Sequence, residues 1–396
     1  MISSENTATE IRSTLWRKVA AGGILVAGVL LVTLLYVLGL SNKSATERDY
    51  IEYWAAGQLL DRGANPYDVG EIFRLEKAMG LEKNSPKVSF SPPLILLLAW
   101  PLGHLDAKTG LIFWNLASLG CLAASVGILW LLHNRPDSRV HLIGLGFPPA
   151  LACLMAGQLG LFFLLEFLLF LYFHKTRPWL AGASMVLFAL KPHLFLLCAV
   201  ILLLWSAVRK DFRVLSGFVV GLAAAFAISL FLDPHGWMQY RQMMDSTRVV
   251  DLYLPTVGVT MRFLVARHVR WIEFLPEILG GVWAVWYYWS RRERWDWTNH
   301  GLLLILVSVA CAPYSWYPDQ TVVLPAILLG LYRAGKSLPL LGLFGLIAGA
   351  GLAAVIAQIQ LPSPFYVWTA PAWLVWYLLA VRRSRFHHAN ADLLTC

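Results

Sequence analysis

Charged residues are scarce in this sequence. Only 14% of the 396 residues are Asp, Glu, Lys or Arg, and 58% are hydrophobic. Soluble globular proteins carry charge on about a quarter of their residues. The mean hydropathy is +0.61. This composition excludes an ordinary soluble domain and indicates an integral membrane protein.

Several signatures of redox, metal and nucleotide chemistry are also missing. The five cysteines form no CxxC pair and no Cys/His spacing, which excludes a disulfide framework and a zinc site. There is no GxxxxGK[ST] motif for a nucleotide-driven pump, no HExxH, and no GxSxG with a matching set of partners. No internal repeat stands out, which weakens a transporter interpretation.

The positive charge that is present indicates topology rather than nucleic-acid binding. The net charge is +9, and much of it lies in short clusters between apolar runs. Basic clusters of this kind mark cytoplasmic loops. They are Arg135/Arg139, Lys175/Arg177, Arg209/Lys210/Arg213, Arg291/Arg292/Arg294, Arg333/Lys336 and Arg382/Arg383/Arg385. No nucleic-acid partner is expected.

Placing every cluster in the cytoplasm predicts about twelve transmembrane helices in one integral membrane domain, 1–396. The first apolar run follows Arg12, Arg17 and Lys18 and is too long for a signal peptide, so it is interpreted as a retained anchor. The predicted spans lie near 19–40, 109–132, 140–155, 159–173, 178–190, 194–208, 214–232, 274–290, 299–312, 320–332, 337–357 and 365–381. Residues 92–105 are predicted as a helix at the interface or partway into the membrane, with a full span as the alternative.

Two long segments, 41–91 and 233–273, fall on the non-cytoplasmic side in this topology. The first contains two helical patterns separated by "GANPYD", and both are predicted to lie on the membrane surface. Spacings of three and four residues put Asp49, Glu52 and Tyr53 on one face of the first helix.

Unusual polar residues of short loops and span ends collect at the same membrane level as these two segments. They are Gln158, Lys191, His193, Trp316 and Asp319, together with Arg241, Arg262 and Arg267 of the second long segment. This arrangement predicts a cleft that opens at the non-cytoplasmic interface.

Each of these residues also has a structural interpretation. Asp49 and Asp319 could cap helices, Lys191 could extend its ammonium group to the interface, and the arginines could bind lipid head groups. Glu166 lies inside an apolar span, where a satisfied interior hydrogen bond is the commoner role.

Five motifs, taken in order, resemble glycosyltransferase family 87. They are "DYIEYWAAGQLLDRGANPYD", "SFSPPLILLLAWPLG", "AGQLGLFFLL", "GASMVLFALKPHLFLL" and "APYSWYPDQTVVLPA", and they cover about 49–325. The family comprises polytopic enzymes of the GT-C class and is similar to mycobacterial polyprenol-phosphate-mannose-dependent α-1,2-mannosyltransferases. "SWYP" departs from the "SWxH" of many members, because Pro318 replaces a histidine.

The resemblance implies that Asp49 is the catalytic base and that transfer inverts the anomeric centre without a metal or other cofactor. The implied donor is a polyprenyl-phosphate hexose, mannose above all, and the implied acceptor is a lipid or a glycan. Cations suit the departing phosphate, and Lys191, Arg241, Arg262 and Arg267 are assigned to it. The assigned substrate-binding residues are Glu52, Tyr53, Gln158, His193, Trp316 and Asp319. The implied location is a bacterial inner membrane, with the site on the periplasmic side.

Two other functions fit parts of the pattern. A transporter or flippase of a lipid-linked glycan would need polar groups along the whole membrane depth, whereas here they gather at one face. An acyltransferase or a ligase of lipid-linked glycans would call for a dominant catalytic histidine or arginine set.

Overall fold

A computed structural model of the chain describes residues 42–136, 139–247, 253–356 and 363–393. The predicted first span at 19–40 lies outside these residues. Every regular element within the described ranges is a helix, and several helices are apolar and long enough to cross a membrane. The predicted all-α polytopic fold is therefore confirmed.

The α-helices are numbered here in chain order. The first nine are α1 (Asn42–Thr46), α2 (Tyr50–Asp61), α3 (Val69–Ala78), α4 (Leu96–Gly103), α5 (Ala107–Leu132), α6 (Pro148–Ala156), α7 (Gly160–Phe173), α8 (Pro178–Ala183) and α9 (Pro192–Arg209). The remainder are α10 (Arg213–Leu232), α11 (Gly236–Ser246), α12 (Val257–Val265), α13 (Leu275–Trp289), α14 (Trp297–Cys311), α15 (Leu324–Ala334), α16 (Leu338–Ile356) and α17 (Thr369–Leu393). Short 3₁₀ helices lie at Pro93–Ile95, Arg139–Gly146, Val186–Leu190, Arg270–Phe274, Arg292–Arg294, Tyr317–Val323 and Ser363–Tyr366.

Six helical segments of the described chain have the length and hydropathy of a membrane span. They are Ala107–Leu132, Arg139–Ala156, Pro192–Arg209, Arg213–Leu232, Leu338–Val355 and Pro364–Arg382. Four shorter apolar helical segments accompany them: Pro93–Gly103, Gly160–Phe173, Pro178–Leu190 and Trp297–Cys311. Each apolar run predicted in the described ranges coincides with a helical segment. The total of twelve spans remains a prediction.

The helical segment Pro93–Gly103 is too short to cross a bilayer. It rises about 16 Å, roughly half of the ~30 Å hydrocarbon core. A helix at the interface or partway into the membrane remains the prediction for this segment.

Helix α2 packs tightly against α4 through two glycines. A Cβ atom added to Gly57 would lie 2.1 Å from the carbonyl oxygen of Ala99, and one added to Gly103 would lie 2.2 Å from the carbonyl oxygen of Gly57. The indole of Trp54 donates to the carbonyl of Leu105 over 2.9 Å. Nine of the twelve α2 residues are buried. The two helices predicted in 41–91 are present, but α2 is enclosed by protein where one apolar face against lipid was expected.

Glu166, the acid inside the apolar helix α7, satisfies the backbone of a neighbouring turn. Its carboxylate accepts a hydrogen bond of 3.0 Å from the backbone N–H of Leu187, in the 3₁₀ helix that follows α8. The predicted interior hydrogen bond is present at Oε1 of Glu166.

Candidate active site

Asp49 directly precedes α2, yet its side chain does not cap that helix. By contrast, the carboxylate of Asp68 at the start of α3 accepts from the backbone N–H groups of Gly70 and Glu71 at 2.9 and 3.0 Å. The backbone N–H of Asp49 instead donates to the carbonyl of Ala156 over 2.8 Å. The capping interpretation of Asp49 is therefore wrong, and its carboxylate is available for other contacts.

Two side chains hold the Asp49 carboxylate from either side. The amide of Gln158 donates to Oδ2 over 2.6 Å, and Lys87 Nζ lies 3.4 Å from Oδ1. The side chain of Asp49 is nevertheless 42% exposed. The result is an oriented carboxylate that solvent or a substrate can reach.

The turn between α6 and α7 explains how Gln158 reaches Asp49. Gly157 ends α6 in a left-handed conformation with φ of +71°, which favours glycine. A Cβ atom there would lie 2.6 Å from Cβ of Tyr50. Arg48 also donates to the carbonyl of Met155 over 2.9 Å. The "AGQLG" motif therefore packs against the start of α2 and hydrogen-bonds to Asp49, which precedes it.

Lys87 was not predicted from the sequence. It lies in the loop after α3, where its backbone N–H donates to the buried carboxylate of Glu76 over 3.1 Å. Its Nζ donates to the carbonyl of Glu47 over 2.8 Å. Glu76 thus fixes the backbone from which Lys87 reaches Asp49.

Lys191 and Asp319 form a buried ion pair. Lys191 Nζ lies 2.7 Å from Asp319 Oδ1, and their side chains are 10% and 0% exposed. Asp319 Oδ2 accepts from the backbone N–H of Trp316 over 2.9 Å. Burial alone would lower the pKa of Lys191, but the Asp319 carboxylate together with Tyr314 and Glu52 outweighs this effect, and the pKa is raised. The pairing with Asp319 therefore favours the charged form of Lys191.

Glu52 and Tyr53 connect Asp49 with the buried pair. Burial, followed by the charge of Asp49, raises the pKa of Glu52 to about 8, against the opposing effects of a hydrogen bond from Tyr53 and of Lys191 and Lys87. The Glu52 side chain keeps partial contact with solvent although protein atoms surround it densely. The Tyr53 ring stacks on Trp114 with centroids 5.1 Å apart. The surroundings of Glu52 thus favour its neutral form.

His193 and Trp316 both contact Tyr314, which is the second residue that was not predicted from the sequence. The His193 and Tyr314 rings are 5.3 Å apart, and Lys191 Nζ lies 6.0 Å from the centre of the Tyr314 ring. A side-chain hydrogen bond joins Tyr314 to Trp316. The predicted residues of the three short turns therefore form one cluster with Asp49, Glu52 and Tyr53.

The three predicted arginines lie in the second long segment and have partners there. Arg241 is exposed and lies 4.0 Å from Asp245. Arg262 is buried with its Nε 3.0 Å from Glu273. The guanidinium of Arg267 lies 4.7 Å from the centre of the Phe263 ring. The arginine assignments to the phosphate remain predictions.

Comparison with known proteins assigns a family. The sequence profile of glycosyltransferase family 87 matches residues 91–313, more than half of the chain. The match contains Gln158, Lys191 and His193, whereas Asp49, Glu52 and Asp319 lie outside it. No match was found among curated proteins or among solved structures. The chain belongs to glycosyltransferase family 87, and it is a membrane glycosyltransferase.

Proposed function

We propose that this protein moves a hexose, mannose above all, from a polyprenyl-phosphate donor to a lipid or glycan acceptor. The proposed site lies on the periplasmic side of a bacterial inner membrane, and transfer inverts the anomeric centre as in the GT-C class. One observation carries the proposal: the Asp49 carboxylate is oriented by Gln158, remains exposed and caps no helix.

Asp49 is the proposed general base. Direct displacement at the anomeric carbon requires a group that removes the proton of the acceptor hydroxyl at ~2.6–3.2 Å. Gln158 occupies one carboxylate oxygen and thereby limits rotation of the group. The other oxygen, near Lys87, is the one proposed to receive the proton.

Two lysines are the proposed source of positive charge for the departing phosphate. Lys87 is beside Asp49, and Lys191 would have to loosen its buried ion pair with Asp319 before it could contact the phosphate. Arg241 and Arg267 remain proposed phosphate ligands because both are exposed. Arg262 would first have to leave Glu273, so its proposed contribution is to hold the segment in place.

The neutral form of Glu52 supports an anionic donor. A carboxylate at this position would add a second negative charge beside Asp49, whereas the protonated acid can donate a hydrogen bond. Its raised pKa keeps it protonated at pH 7. Glu52 and Tyr53 are proposed to contact the sugar or the acceptor.

A donor panel tests this function. Purified protein in liposomes is incubated with polyprenyl-phosphate mannose, polyprenyl-phosphate glucose or a nucleotide-linked mannose, each with a membrane acceptor extract. The proposal predicts sugar transfer from a polyprenyl-phosphate donor, with mannose preferred, and none from the nucleotide. Efficient transfer from the nucleotide-linked sugar would contradict the donor class, while preference for glucose would contradict only the sugar.

A further inference from the structure

A pocket lies at the far end of α5, away from Asp49. The start of α5 adjoins α2 through the Trp54 contact with Leu105, and the 26-residue helix runs to Leu132. Such a helix is about 39 Å long. The pocket has a volume of about 410 Å³ and opens where the ends of α5, α7, α14 and α15 meet. Ligand pockets commonly span ~300–1,000 Å³.

Buried leucines and exposed polar side chains both line this pocket. Leu129 and Leu302 are buried, whereas Asn299 and Arg333 are exposed and His133 is partly exposed. The exposed polar side of the pocket is called its mouth here. The leucine side chains can pack against hydrocarbon, and the hydrogen-bond donors and the positive charge at the mouth can bind an anion. The combination matches an amphiphile with a negatively charged head group.

His133, His141 and Tyr332 form a chain of two hydrogen bonds. Whichever way these hydrogen bonds run, one N–H or O–H group at an end of the chain has no acceptor within it. His133 Nδ1 is 2.9 Å from His141 Nε2, and the Tyr332 hydroxyl is 3.0 Å from His141 Nδ1. When His141 donates to His133, the free N–H belongs to His133 Nε2. When His133 donates instead, the Tyr332 hydroxyl is free to donate. Since His133 and Tyr332 both line the pocket, either tautomer offers a donor to an acceptor-rich ligand.

The charges around the mouth favour an anion. Arg333 is exposed there, and Asn299 belongs to the first turn of α14, where the helix dipole is positive. The neighbouring Asp296 carboxylate is engaged by Lys175 at 2.9 Å and by Asn299 at 2.8 Å. Burial and the adjacent His141 lower the pKa of His133 to about 4, so that this side chain is neutral at pH 7.

We propose that this pocket binds one anionic phospholipid, with an acyl chain between the leucines and the phosphate at the mouth formed by His133, Tyr332 and Arg333. In the topology set by the basic clusters, the mouth faces the cytoplasmic leaflet, where anionic lipids meet basic pockets between helices. The proposal does not depend on the reaction at Asp49.

Thermal unfolding of the full-length protein in a neutral detergent tests the proposal. Phosphatidylglycerol, phosphatidylcholine and inorganic phosphate are titrated separately, and native mass spectrometry counts the bound lipids. We expect phosphatidylglycerol to raise Tm saturably with one lipid retained, and we expect neither of the other two to do so. Equal stabilisation by phosphatidylcholine or by inorganic phosphate would overturn the proposal.

Matched variants localise the effect. Arg333→Gln should weaken phosphatidylglycerol binding roughly fivefold, as expected for one basic residue near an anionic head group. Arg292→Gln removes the same charge from a different basic cluster and should leave binding unchanged. Leu302→Trp should block the acyl chain while keeping Arg333. Equal losses in the two arginine variants would overturn the assignment, and the arginine pair decides alone if Leu302→Trp does not fold.

Discussion

Glu52 lies one helical turn from Asp49, and its pKa is raised. The folded pKa of Glu52 is about 8, above its ordinary value of 4.5. The folded protein therefore binds this proton more tightly than the unfolded chain does. The stability contributed by the group is complete below its unfolded pKa and is lost as the pH rises towards 8.

This difference predicts a pH-dependent affinity for the donor. Glu52 should ionise between about pH 7 and pH 9, and its carboxylate should then repel the phosphate of the proposed donor. Donor affinity should therefore fall over this range in the wild-type protein, and Glu52→Gln should flatten the profile. Binding of a fluorescent polyprenyl-phosphate sugar measures both. An unchanged profile in Glu52→Gln would assign the titration to another group.

The Lys191–Asp319 pair predicts a stability cycle. Lys191→Met leaves a buried carboxylate without its partner, which typically costs about 3–5 kcal/mol. Lys191→Met/Asp319→Asn removes both charges and should recover much of the loss in Tm. Single variants as stable as the wild type would show that the pair is not buried as described.

The same cycle separates a structural from a donor-binding role of Lys191. If Lys191 also contributes to donor affinity, the stable double variant should still bind the donor more weakly than the wild type. Normal donor binding by the double variant would leave Lys191 with a structural role alone.

At the scale of elements, the contact between α2 and α4 predicts a strong effect of one methyl group. In Gly57→Ala the new Cβ atom would meet backbone of α4, and overpacking of this kind costs about 1–3 kcal/mol. Gly127→Ala in α5 meets no atom within 4 Å and serves as the control. Thermal unfolding should show a lower Tm for Gly57→Ala alone. A similar Tm for both variants would contradict the close packing.

The positions of the helices follow from the sequence because long apolar runs and Gly/Pro turns are local signals. The partners of individual side chains do not follow from it. Lys191 and Asp319 are 128 positions apart in the sequence. The predicted topology places both at the same membrane level, but it does not predict that their side chains contact each other. Arg262 shows the same limit. Its positive charge led to the phosphate assignment, whereas in the structure its guanidinium pairs with Glu273.

Two residues of the candidate site were missed for a related reason. Lys87 stands in a loop without a motif, and only the fold of α3 and the Glu76 carboxylate bring it to Asp49. Tyr314 belongs to the quoted "APYSWYPDQ" segment, but its aromatic ring resembles the many interfacial aromatics of the sequence. The sequence also did not predict that protein encloses α2. Gly57 and Gly103 allow the backbones of α2 and α4 to approach closely, but this role is visible only when the two helices are known to pack together.

At the scale of the whole molecule, the proposed topology predicts which loops an impermeant thiol reagent reaches. Ala64→Cys lies in the exposed turn after α2, and Phe212→Cys lies between α9 and α10. In a background without the five native cysteines, Ala64→Cys should react from outside intact cells and Phe212→Cys only after permeabilisation. The reverse labelling pattern would place Asp49 on the cytoplasmic side.

Sugar transfer by Asp49→Asn tests the central claim most directly. Asparagine keeps the size of the side chain and an oxygen for Gln158, and no helix cap is lost, so the variant should fold and bind the donor normally. Without a base, transfer from polyprenyl-phosphate mannose should fall about 10²–10⁴-fold. Near-normal transfer by folded, donor-binding Asp49→Asn would contradict the account.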